Sequence, residues 1–140
     1  MPVPVAVQAA LAFTWLGLVL GVSFLEAPIK FRAPGITTEL GVGIGRLVFR
    51  ALNLVEAVVA VGLVAASIAR GAGADWWAVG GLCVVLALGA AVVRPLMDRR
   101  VLAGRTASAM PRHLLHVGYV GLELIKVVLL VLAGVLALVG

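Results

Sequence analysis

Charge is scarce in this chain. Only 12% of its 140 residues are Asp, Glu, Lys or Arg, about half the share of a soluble domain. With 64% hydrophobic residues and a mean hydropathy of +1.22, an ordinary water-soluble domain is excluded. Cysteine is nearly absent too. Cys83 is the single thiol, which excludes an intrachain disulfide and a Cys-rich metal centre. Inside an apolar run it reads as a small packing residue. The first residues lack the charged n-region of a secretory signal, and their apolar run continues to Leu25. A signal core is about 7–15 residues long, so this stretch reads as a retained helix. No lipidation motif is visible.

What remains is apolar and segmented. Four runs stand out, residues 3–25, 45–68, 76–93 and 113–139. Each is close to the ~20 residues that cross ~30 Å of hydrocarbon. The spacing predicts an all-α polytopic membrane protein, a four-transmembrane-helix bundle forming a single domain over residues 1–140. Helix breakers fall between the runs. Pro28, Pro34, Gly35, Gly41, Gly43 and Gly45 mark the first connection, Gly71 and Gly73 the second, and Pro95 and Pro111 the third. Trp76 and Trp77 open the third run as an interfacial aromatic pair would.

The net charge of +5 suggests nucleic acid only until the basic residues are located. Lys30, Arg32, Arg46 and Arg50 flank the first loop, and Arg94, Arg99, Arg100, Arg105 and Arg112 the third. The second loop has Arg70 alone. By the positive-inside rule, loops one and three are cytoplasmic and both termini non-cytoplasmic. The partner expected is membrane lipid, not nucleic acid. The expected location is a bacterial inner (plasma) membrane, crossed several times.

Ionisable groups in hydrocarbon cost several kcal/mol and rarely lack a partner or a role. On the second run Arg46, Arg50, Asn53 and Glu56 fall within an arc of about 120° at 100° per residue. On the fourth, His113, His116, Tyr119, Glu123 and Lys126 fall within about 140°. Glu26 closes the first run, and Arg94 and Asp98 close the third. Glu56 and Glu123 each lie about 15 Å along their helices from Arg46 and His113, near mid-membrane. The pattern predicts a funnel open to the cytoplasm, basic at its rim, with Glu56, Glu123 and Lys126 at its floor. Structural alternatives stay open. Glu123 with Lys126, and Arg94 with Asp98, have the spacing of simple helical ion pairs, and Arg46 has the length to snorkel to headgroups.

His113 and His116 share one helix face, the i,i+3 arrangement of a metal-binding pair. No third ligand is fixed by spacing, so no metal is assigned. Two histidines one turn apart cannot ligate opposite faces of one haem iron. Gly41, Gly43 and Gly45 lack the full dinucleotide pattern and read as a flexible lead-in to the second helix. No cofactor is assigned.

The run Arg46-x-x-x-Arg50-Ala51-x-Asn53-x-x-Glu56 resembles the Arg/Asn/Glu signature of the MAPEG proteins, the membrane-associated eicosanoid and glutathione metabolism enzymes. The resemblance implies a trimeric four-helix protein with a cytoplasm-facing glutathione site between subunits. Arg50, Asn53 and Glu56 would then contact the thiol tripeptide. The second Arg-to-Asn spacing is one residue short of that signature. The family also does not account for His113, His116, Glu123 and Lys126. The stretch Phe24-x-x-Ala27-Pro28-x-x-Phe31 resembles small bacterial four-helix proteins distantly like the copper-resistance CopD group.

Three functions compete. The first is proton-linked transport or binding of a small solute, anionic by the sign of the rim. The second is an intramembrane enzyme with a polar cytoplasmic cosubstrate, Tyr119 or His116 serving as acid or base. The third is a non-catalytic partner for another membrane protein. Four helices enclose little volume, so a homodimer or homotrimer is expected. Gly17-x-x-x-Gly21 offers a close-packing face. The apolar outer halves of helices two and four favour a one-sided site over an open channel.

Overall fold

The computed structural model describes residues 1–71, 73–102 and 112–140. Among the described residues all regular structure is helical. Helix α1 is Val3–Arg32, α2 is Thr38–Arg70, and α4 is Arg112–Val139. Helix α3 runs unbroken through Trp76–Leu88, Gly89–Val93 and Arg94–Leu102. All four carry a stretch long and apolar enough to cross a membrane, as the hydrophobic runs predict.

The helices are longer than those runs, and the reasons are local. Helix α2 begins at Thr38 rather than Gly45. The Leu40 N–H donates to the Thr37 hydroxyl at 3.1 Å, an N-cap, and Glu39 sits favourably in the first turn. Gly41 and Gly45 are therefore helical, not a lead-in. Both are buried where α1 crosses α2. A Cβ on Gly41 would overlap the Phe31 ring, and one on Gly45 would stand 2.9 Å from the Lys30 ammonium. Small residues here let the two helices approach. At the other end Gly71 stops α2 with φ +92°, a conformation that costs glycine little.

Helices α1 and α3 also pass through prolines expected to end them. Each proline follows a π-helical stretch. Leu20–Glu26 precedes Pro28, and Gly89–Val93 precedes Pro95. Proline removes an i→i−4 hydrogen bond and crowds the carbonyl it would have used. A wider π turn relaxes that crowding, so the helix continues.

The helices pack as a ring. Helix α1 lies against α2 and α4, and α3 against the same two. The half of the bundle that holds the termini has a dense apolar core. Ala12, Trp15, Leu63, Leu82, Leu130 and Ala133 are all at most 1% exposed. In the opposite half the described residues form a small cluster, Phe49, Leu52 and Tyr119. Among the described residues, one half of the bundle is densely packed and the other loosely filled.

Candidate functional site

The loosely filled half holds a cleft of about 930 Å³, lined by residues from all four helices. Its floor is ionic. Lys126 on α4 donates to Glu56 on α2 at 2.8 Å and to Glu123 at 2.7 Å. All three residues are at most 3% exposed. Two further donors complete the group. The Trp15 indole donates to Glu56 at 2.8 Å, and the Ser23 hydroxyl donates to Glu123 at 2.8 Å. One ammonium thus serves two carboxylates, with α1 supplying a hydrogen bond to each. The second oxygen of Glu56 is buried and has no partner among the described residues.

Glu123 also lines the cleft, as does Ser23. It is the only member of the ionic trio among the lining residues, so it joins the cleft to the buried charges behind it. The π turn at Leu20–Glu26 helps to set this geometry, because it changes the phase at which Ser23 and Phe24 leave α1.

Above the floor stands an aromatic wall. Phe49 and Tyr119 meet edge to face, centroids 5.5 Å apart and planes at 87°. The Arg94 guanidinium carbon lies 4.0 Å from the Phe49 ring centre and 4.7 Å from that of Tyr119. These are cation–π distances. At the mouth Arg46 bonds Asp98 at 3.0 Å, joining α2 to α3, and Lys30 meets Glu26 at 3.5 Å within α1. Lys30 also lies 5.7 Å from the Phe49 ring centre.

The sequence-derived set is thus partly assembled. Glu56, Glu123 and Lys126 converge as a floor. Arg46, Arg94, Asp98 and Tyr119 line the space above it, whereas Glu26 does not line it and reaches it only through its ion pair with Lys30. His116 lines the cleft but is exposed. Arg50 is exposed and Asn53 half-buried, and neither lines the cleft. The side chains of Arg112 and His113 lie outside the described ones. Among the described residues no three His, Cys, Asp or Glu side chains group as metal ligands.

Two pairings left open by the sequence are resolved. Asp98 bonds Arg46 across the mouth rather than Arg94, because Arg94 is engaged by the aromatic faces. Glu56 takes Lys126 as its basic partner, not Arg50 or His116. The buried face of α2 centres on Glu56, and Arg50 lies about 120° around the helix from it. Within one chain Arg50 and Glu56 therefore share no site.

Several site residues carried no motif. A lone indole such as Trp15 inside an apolar helix must place its N–H somewhere, and that was the available signal. Ser23 and Phe49 gave none. A second polar group seals the closed end. The Gln8 amide donates to Asp75, and Arg70 bonds Asp75 at 3.1 Å. Gln8 and Asp75 are at most 1% exposed. No family model, curated protein or solved structure matches the chain.

Proposed function

We propose that this is a multi-pass membrane protein that admits a small solute to a one-sided cleft and couples its movement to a proton held in the buried ionic group. The observation that carries the reading is the position of Glu123. It faces the cleft and shares Lys126 with Glu56. Glu56 and Glu123 together bring one more carboxylate than there are ammonium groups. In a low-dielectric core that imbalance is costly, and one proton removes it. A solute against Glu123 perturbs the same balance. The proton is thereby linked to occupancy of the cleft.

The mouth faces the cytoplasm in this reading. Nine of the eleven Lys and Arg residues flank loops one and three, and the cleft is lined by residues in that half of the bundle. A reporter active only in the cytoplasm is expected to be silent when fused at Gly140. Activity there would invert the orientation.

The coupling is tested in proteoliposomes with a trapped pH dye, exposed to a panel of anionic, neutral and cationic solutes. At least one solute is expected to move protons saturably beyond protein-free vesicles. Glu56→Gln keeps the shape and leaves Lys126 balanced by Glu123 alone. It is expected to stay folded, within about 1 kcal/mol of wild type, and to lose the solute-driven proton signal. An E56Q variant with unaltered proton movement would remove the ionic floor from the mechanism.

A further inference from the structure

We propose that the cleft binds an amphipathic monoanion, a carboxylate on an apolar body, with Arg94 as its anchoring cation. This deepens the reading above, since it assigns a ligand class to the same one-sided cleft.

Arg94 differs from the other cations around the cleft. Lys30 has Glu26, Arg46 has Asp98, and Lys126 has two carboxylates. Among the described residues Arg94 has no carboxylate within salt-bridge distance, and its Nε is buried without a hydrogen-bond partner. Its neighbours are the ring faces of Phe49 and Tyr119. The ring faces attract the charge but accept no strong in-plane hydrogen bond, and the Tyr119 hydroxyl is in reach of one N–H of the fork. A guanidinium carries five N–H donors, so the buried Nε–H and the donors Tyr119 does not take are left to a ligand carboxylate.

The count of cations sets the ligand's charge. Among the described cations that line the cleft, Arg94 alone lacks a carboxylate partner, which suits one negative charge. A dianion would have to break the Arg46–Asp98 or Lys30–Glu26 pair. The size of the cleft sets the body. About 930 Å³ is far more than an inorganic anion fills and lies within the usual range for organic ligands, about 300–1,000 Å³. The walls set its polarity. Phe24, Ala27, Val42, Met97, Leu115 and Val120 line the cleft and offer no hydrogen bond from their side chains. Such a ligand has two sources, the acyl lipids of the bilayer and water-soluble aryl or alkyl acids.

Binding to the full chain in nanodiscs distinguishes them. Oleate probes the bilayer source and phenylpropionate the aqueous one. Oleyl alcohol and phenylpropanol are neutral counterparts, and phenylpropylamine is the cationic one. Saturable binding of either acid is expected, at least about tenfold tighter than its alcohol or the amine. Arg94→Gln is expected to weaken acid binding by about tenfold or more and to leave alcohol binding unchanged. Arg94→Lys keeps the charge without the fork and is expected to fall between. If R94Q does not fold, R94K is judged on the same acid-to-alcohol ratio. Preference for oleate assigns the membrane as source, and preference for phenylpropionate assigns the cytoplasm. Equal binding of acids and alcohols, or an acid affinity indifferent to Arg94, overturns the proposal. Tight binding of the amine alone overturns the ligand class while leaving proton-linked uptake intact.

Discussion

Replacing Lys126 by methionine is expected to destabilise the bundle by about 3–5 kcal/mol, the cost of leaving buried charge unpaired. The side chain is nearly isosteric along its stem, so little packing is lost. What is lost is the single ammonium within 2.8 Å of both Glu56 and Glu123. Trp15 and Ser23 still donate to them, but two neutral donors do not offset two carboxylate charges in an apolar core. The variant is followed by circular dichroism during titration with a denaturing detergent. Adding Glu56→Gln and Glu123→Gln to Lys126→Met is expected to recover most of the loss, since the triple variant buries no charge at this site. A single K126M variant as stable as wild type would mean that the bridge contributes nothing, and the proton-linked reading would lose its floor.

Trp15 is expected to give the next largest effect. It is fully buried, and its neighbours in the closed half include Ala12, Val19, Ala60 and Leu63. Trp15→Ala leaves a void at the level of the ionic group and is expected to cost about 3–5 kcal/mol. In a bilayer most of this is lost packing rather than transfer to water. Trp15→Phe retains much of the ring and removes the N–H to Glu56. Because Glu56 keeps Lys126, the expected cost is nearer 1 kcal/mol, about that of a single hydrogen bond. The same Trp15→Phe change made beside Glu56→Gln measures the coupling between the two residues. Additive losses would show that the indole supports packing alone.

The number of helices was legible because crossing hydrocarbon demands long apolar runs, and four are present. Glu56, Glu123 and Lys126 were legible for the opposite reason, being too costly to bury idly. Their partners were not. Helix α1 is apolar nearly all round, so its sequence offered no phase that aims Trp15 at Glu56. On α2 the arc through Arg46 and Asn53 was centred on the polar residues, whereas burial is centred on Glu56 itself. Arg50 was therefore assigned inward and lies outward. The apolar runs stop short of the ends of the first and third helices at proline, and they start late on the second at glycine, because both residues ordinarily break helices. Pro28 and Pro95 are accommodated by π turns, and Gly41 and Gly45 by close helix packing. Neither compensation is visible in a hydrophobicity pattern. In the Gln8–Asp75–Arg70 seal, Gln8 joins a pair far from it in the chain, and no local spacing announces that contact.

The two π stretches have a consequence for how this chain tolerates changes of length. A π turn holds one residue more than the α-helix needs to keep the flanking segments in phase. Loss of one residue from Leu20–Glu26 or Gly89–Val93 would tighten that turn to α and leave Gln8, Trp15 and the start of α3 aligned. The same loss between Arg46 and Glu56 would turn everything beyond it by about 100°, carrying Glu56 away from Lys126. Single-residue deletions scanned along the chain, scored by monodispersity in detergent, would then survive in α1 and α3 at those two windows and fail throughout α2 and the inner half of α4. Equal failure at every position would deny the π turns this role. Length changes of one residue at those windows would re-aim Ser23, Phe24 and Arg94 without rebuilding the bundle.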